Sequence, residues 1–499
     1  MGNTKLKNIY LGVPDGATEA QNEKFQELFY DPNNKYDELM GSDEKFLVIG
    51  NKGTGKTYLA NYVMMKSPKK QMNEMVDATN FSIYKLSNLY GLELSGDMMY
   101  ALCKWFFLDK ISHLLLDKHV IKSRILGYKI NKLKKLVEQY DNISFFKDVK
   151  KIGTDSKDVA IMGERLTGND VKNRKRGLNL GIAQGLSVEA ERKKFYELIN
   201  SYEKLVFQSL SKCDDVLLII DDLDEIEENR DKAGDIIVAL INVAKEYNLK
   251  AKHYKGKVKI ILLLRSDILS ELQVKNANLN KIKTSCSVEL YWLFDSMSEQ
   301  YRHPLISMVL HKIKASCPEY RNEDNRKLFN ELFPEHIDNK RPLDYLLDYG
   351  FGRPRDIIIY LNHTKREFPE DTFFSAVALK EARKFYSEDF YNEMLNQANF
   401  HKSPIYVKQC MGLLASVKKV SFHYKQIQEI YEKNKDKYSE IRNLDEALSF
   451  LYKMGAIGNV WNIKGKVHTC WSYKKDAMDD IDLAKKFTIH YGLRKKFSL

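Results

Sequence analysis

Six cysteines in 499 residues stand singly, at Cys103, Cys213, Cys286, Cys317, Cys410 and Cys470, with no C-x-x-C pair among them. That scatter argues against both a disulfide framework and structural zinc, and leaves buried free thiols as the expectation. No apolar run approaches the roughly 20 residues that cross a bilayer, and the opening MGNTKLKNIYLG lacks the apolar centre of a secretory signal. Leu6 stands where a myristoylation pattern needs Ser or Thr. The expectation is a cytosolic, cytoplasmic protein with no membrane partner. A hydrophobic fraction of 43%, a charged fraction of 30% and 11% aromatics describe a helix-rich globular chain rather than a disordered one. Its length suggests about three units, or two if one carries a large insertion. A net charge of +12 permits contact with nucleic acid or another polyanion without requiring it, because solvated helix faces can hold much of that charge.

The chain is organised around Lys45–Thr57, KFLVIGNKGTGKT. Phe46–Ile49 is too short for a helix and suits a strand buried on both faces. Gly50-Asn51-Lys52-Gly53-Thr54-Gly55-Lys56-Thr57 then matches G-x-x-x-x-G-K-[ST] without a mismatch. The glycines let backbone N–H groups turn inward, and these amides, with the helix N-terminus that follows from Tyr58 to Lys66, cradle a polyphosphate. Lys56 reaches the β- and γ-phosphates in such a loop, and the Thr57 hydroxyl ligates Mg²⁺. A chance glycine turn is the alternative. It does not call for a strand before and a helix after.

A second stretch, Val216–Ile220 followed by Asp221-Asp222-Leu223-Asp224-Glu225, places acids at the end of a buried strand. Such a strand delivers a carboxylate beside the phosphates: Asp221 to hold Mg²⁺, and Asp222 to polarise the attacking water. Asp224 and Glu225 read equally well as helix N-caps. Val258–Leu264 is another parallel-type strand, ending in Arg265-Ser266-Asp267. Arg265 either senses the γ-phosphate or is a surface arginine paired with Asp267. Ser287–Trp292 reads as a further strand, and Met297–Ala315 as a helix. In Gly350–Asp356, GFGRPRD, Gly and Pro punctuate a turn and Asp356 suits a first helical turn. Its two arginines either reach a nucleotide from a lid or cap and dock the helix.

Elsewhere the organisation is coarser. Asn8–Val13 reads as a strand or extended arm, placed over the adenine side or as a cap on the core, and Thr18–Phe29 has helical spacing. From Val76 to about Val149 the pattern is helical, with Met98–Leu116 strongly apolar and Lys118–Lys135 basic. Arg174-Lys175-Arg176 opens a glycine-punctuated segment that is either a nucleic-acid hairpin or an exposed loop, and helices span about 187–212 and 233–247. From Pro404 to Trp471 three helical stretches precede a hairpin around Lys464-Gly465-Lys466, the order of a winged helix that either faces DNA or serves as a packing module. Lys418, Lys419, Lys425, Arg442 and Lys453 supply its charge. The basic tail to Leu499 carries no assigned function.

GNKGTGKT, LLIIDDLDE, ILLLRSD and GRPRD, in this order and spacing, resemble the bacterial P-loop ATPases related to the KAP, STAND and AAA+ groups. More narrowly, the chain is similar to stand-alone cytosolic ATPases with an Asp-Asp-Leu-Asp Walker B and an Arg-Pro-Arg-Asp lid, many of which accompany defence against phage. The resemblance covers roughly residues 8 to 365, without detailed match in the insertion. It implies an α/β P-loop NTPase with a parallel sheet of ASCE type in strand order 51432. The implied domains are an ATPase core over 1–300 with a helical insertion at about 82–212, a helical lid over 301–400, and a winged helix with basic tail over 401–499. ATP and Mg²⁺ are the implied ligands. Gly50 to Tyr58 hold the phosphates, Lys56, Asp222 and Arg265 act on them, Thr57 and Asp221 hold the metal, and Arg355 is a sensor-two residue. An Asp at 222 where Glu is common suits slow, switch-like hydrolysis. The rival readings are an oligomerising scaffold without turnover and a nucleic-acid motor or clamp. A homo-oligomer and an effector protein encoded elsewhere are the expected partners.

Overall fold

The computed structural model describes residues 4–77, 96–117, 128, 199–210, 215–223, 230–253, 258–294, 298–475 and 477–499. The basic triplet Arg174-Lys175-Arg176, the segments 118–127 and 129–198, Cys213, Asp224 and Glu225 lie outside the described residues. The chain divides into two compact units. One comprises 33–52 and 56–290; the other comprises 1–32, 53–55 and 291–499. The N-terminal segment and residues 291–499 therefore fall in a single unit, apart from the sheet that follows.

The first unit is built on five parallel strands: β1 (Leu47–Ile49), β2 (Met72–Asp77), β3 (Val216–Asp221), β4 (Val258–Leu264) and β5 (Ser287–Glu289). Their order is β2-β3-β4-β1-β5, which read from the β5 edge is 5-1-4-3-2. β1 and β3 are buried throughout and β4 nearly so, as strands covered on both faces must be; hence their apolar spelling, interrupted by Lys259 in β4 and ended by Asp221 in β3. β2 is a correction to the sequence reading, which began a helix near Val76. MNEMVD has low β-propensity, and it forms a strand because it pairs along the whole of β3 at the sheet edge. β1 is shorter than β4, and Asn248 makes up the difference. Its buried amide donates to Ile260 O at 2.9 Å and accepts from Ile260 N at 2.8 Å, satisfying backbone that no strand reaches.

Helices flank this sheet, including Lys56–Lys66, Gly96–Asp117, Arg230–His253 and a helical stretch at 199–210. A half-buried ionic network centred on the buried Glu203 joins the last three. Lys104 binds Glu203 at 3.3 Å and Glu246 at 2.7 Å, Lys250 also pairs with Glu203, and Tyr247 Oη donates to Glu203 at 3.1 Å. Near the start of β4, burial lowers the pKa of Lys259 to about 8, and its ammonium donates to the carbonyls of Leu39 and Ser42.

The second unit is mainly helical, with the principal helices Pro304–Ser316, Asn325–Leu332, Pro342–Tyr349, Pro354–Glu367, Ala376–His401, Pro404–Ser416, Tyr424–Lys433 and Leu444–Lys453. The expected Met297–Ala315 helix begins instead at Pro304, whose ring fits the first helical position. The expected Thr18–Phe29 helix is broken into Gly16–Glu19 and Phe25–Leu28. The break accompanies a buried ion pair of Glu19 with Lys312, both under 4% exposed. Asn8–Val13 is an arm rather than a strand. It lies along the helix Pro354–Glu367, where Arg355 Nε, Asn362 Nδ2 and Lys365 Nζ donate to Pro14 O, Gly12 O and Ile9 O at 3.3, 3.0 and 2.7 Å.

In the C-terminal part, strands β6 (Ser421–Phe422), β7 (Ile457–Ile463), β8 (Lys466–Cys470) and β9 (Lys486–Ile489) form an antiparallel sheet in the order β6-β9-β7-β8. β6 and β9 went unread in the sequence. Lys464 and Gly465 connect β7 to β8 with φ of +50° and +82°, the two-residue turn whose twist matches a hairpin. Five cysteines, at 103, 286, 317, 410 and 470, are free and buried, as their spacing suggested.

Candidate functional site

Strand register brings the first unit's key residues to one end of its sheet. Ile49 lies level with Leu264, and Ile220 level with Leu262. Asp221, one step beyond Ile220, therefore ends β3 one residue short of the level of Ile49 and Leu264, and Asp222 follows it directly. The β1–β4 pairing continues past the strand ends: Gly50 N donates to Leu264 O, and Gly50 O accepts from Ser266 N, both at 3.3 Å. Arg265 is thus bracketed by the first glycine of the loop. One strand, β4, separates β1 from β3, which puts the two ends roughly 10 Å apart at the usual spacing. Parallel sheets bind ligands at this carboxyl edge.

Each residue has a definite environment there. Lys56 starts the helix that follows the loop and turns its ammonium back onto Gly50 O at 3.0 Å and Asn51 O at 3.3 Å. A lysine held by loop carbonyls is already poised over the loop. Thr57 and Tyr58 lie in the first turn of that helix. Asp221 is 4% exposed and accepts from Asp222 N at 2.9 Å. Asp222 has φ of +52°, a left-handed conformation that costs a residue bearing a side chain and that accumulates at functional positions. β2 supplies a residue that the sequence reading did not single out: Asp77 pairs in register with Asp221. Its signal was hidden because β2 itself was unread. Arg265 is not the surface arginine of the alternative reading, being 3% exposed. It does pair with Asp267, through Nε to Oδ1 at 3.1 Å and through Nη2 to Oδ2.

Gly53–Gly55 group with the second unit. Gly53 and Gly55 have φ of +82° and +94°, so both need glycine. Gly53 O accepts from Arg355 N at 3.4 Å, and Thr54 O from Trp292 Nε1 at 2.9 Å. The two arginines of GRPRD divide their labour. Arg353 is buried at the start of its helix and binds Asp356 through Nε to Oδ2 at 3.0 Å and Nη2 to Oδ1 at 2.7 Å. Arg355 pairs with Glu393 at 3.0 Å. Arg353 thus ties down the start of its own helix, and Arg355 joins it to the Ala376–His401 helix.

Residues 303–395 match the family described as the FunZ-associated C-terminal helical domain. The match runs from the Pro304–Ser316 helix into Ala376–His401. No curated protein and no solved structure matches the chain. Among the described residues no helix is long and apolar enough to cross a membrane. A five-stranded parallel sheet with a separate helical region fits an NTPase-like fold.

Proposed function

We propose that this chain binds MgATP at the carboxyl ends of β1, β3 and β4 and hydrolyses it slowly, as a nucleotide-controlled switch. The observation that supports this is the shared register of the Gly50 loop, the Asp221-Asp222 pair and Arg265 along one sheet edge. On this reading the order 5-1-4-3-2 is that of an ASCE-type P-loop NTPase, and the C-terminal elements form a winged helix. The resemblance extends the proposal to anti-phage defence alongside an effector encoded elsewhere.

The donor set suits the ligands. A buried acid and a threonine hydroxyl are the hard oxygens that Mg²⁺ takes. When bound, the metal would neutralise charge on the phosphoryl oxygens. Lys56 exchanges Gly50 O and Asn51 O for phosphate. Thr57 and Asp221 would hold the metal. Asp222 orients water and accepts its proton, and Arg265 trades Asp267 for developing phosphate charge.

The test measures ATP binding, phosphate release and mass on the same full-length preparation. Lys56→Ala is expected to abolish binding, and Asp222→Asn to keep ATP bound without releasing phosphate. Unchanged turnover in both variants would sink the proposal. Tight binding with no release by the wild type would favour the scaffold reading instead.

A further inference from the structure

We infer that the β7–β8 hairpin is a nucleic-acid-binding surface that grips the phosphodiester backbone. The first reason is where the charge lies. Residues 401–499 hold 19 Lys+Arg against 10 Asp+Glu, so their net +9 accounts for most of the chain's +12. The hairpin is the exposed prominence of that region: every residue from Asn462 to Thr469 is exposed. Its tip is a tight turn, and β8 is a sheet edge.

The second reason is the chemistry of one face. Cross-strand pairing sets Trp461 against His468 and Ile463 against Lys466, and directly paired residues share a face. The Trp461 and His468 rings stack at 6.0 Å with 15° between their planes, and Lys485 Nζ sits 4.3 Å over the indole. Lys485 also pairs with Asp482 at 3.3 Å. Among the described residues no carboxylate pairs with Lys464 or Lys466. A lysine over the indole and two at the adjoining hairpin tip, beside a stacked aromatic pair, are the ingredients that recognise phosphates and bases together. The apolar content, Ile463 at 49% and Val467 at 70% exposure, is too small to anchor a hydrophobic partner.

The experiment is fluorescence anisotropy of the full chain with a labelled oligonucleotide of about 20 nucleotides, single-stranded and as duplex, across about 50–200 mM salt. Lys464→Glu/Lys466→Glu is expected to weaken binding at least about tenfold and to reduce the salt slope by about one per lysine. Lys464→Arg/Lys466→Arg should retain it. Trp461→Ala losing affinity for the single strand more than for the duplex shows bases on the stack; equal loss places the contact on the backbone alone. Because the two lysines are exposed, thermal unfolding of both lysine variants should match the wild type. No binding to either form, or unchanged affinity in the double Glu variant, overturns the inference. So does equal binding of anionic vesicles or polyglutamate that responds to the same substitutions.

Discussion

Gly53 and Arg355 touch where a side chain on the glycine would have to go. A Cβ on Gly53 would lie 3.0 Å from Arg355 Cβ and 3.2 Å from its Cδ. Gly53→Ala therefore meets both a close contact and a φ of +82°, and is expected to cost about 1–3 kcal/mol in urea unfolding. The nearest atom is Arg355 Cβ, which alanine keeps. Adding Arg355→Ala should therefore recover little, and full recovery in the double variant would mean that the long side chain, not the backbone, sets the cost.

Asp222 carries the opposite test. Its left-handed conformation is one that glycine adopts without strain, so Asp222→Gly should unfold within about 1 kcal/mol of the wild type. If its carboxylate serves chemistry, the same variant loses phosphate release. A Gly variant that still turns over ATP removes Asp222 from the mechanism.

The Glu19–Lys312 pair predicts a non-additive cycle. Burial lowers the lysine's pKa against the raising effect of Glu19, so each charge relies on the other. Lys312→Met or Glu19→Leu alone should cost about 3–5 kcal/mol, and both together less than the sum of the two. Additive losses in chemical denaturation would show that the charges do not depend on each other.

His490 sets an acid limit. Burial first, then the nearby Arg494, pushes its pKa down from 6.5 to about 3. The folded chain keeps it neutral among Phe390, Trp471 and Tyr473. Unfolding releases a histidine that takes up a proton below pH 6.5, so its contribution is fully present above 6.5 and is lost as pH falls toward 3. The slope from this residue approaches about 1.4 kcal/mol per pH unit. His490→Phe should flatten the stability curve over that window relative to the wild type. Parallel curves would show that the ring is not held neutral.

Sequence carried four of the five strands of the parallel sheet and lost one edge. β3 and β4 were legible because strands covered on both faces must be apolar, and the glycine loop because its conformation admits few other residues. β2 was not, since MNEMVD is defined by its neighbour rather than by its own composition, and Asp77 disappeared with it. The break between Glu19 and Phe25 likewise accompanies a pairing with a lysine far along the chain, which local spacing cannot show. Arg265 illustrates a different limit. Its place after β4 and the nearby Asp267 as a partner were readable, but its burial is a tertiary fact that spacing does not encode.

The helix Pro354–Glu367 holds the N-terminal arm through Arg355, Asn362 and Lys365, and all three take main-chain oxygens, of Pro14, Gly12 and Ile9. Every residue owns such an oxygen, so these three donors recognise a path and not a spelling. Outside its buried anchors Leu6, Ile9 and Leu11, and outside Gly12, whose φ of +100° and closeness to Glu19 and Lys312 exclude a side chain, the arm can accept new side chains and still be strapped in the same place.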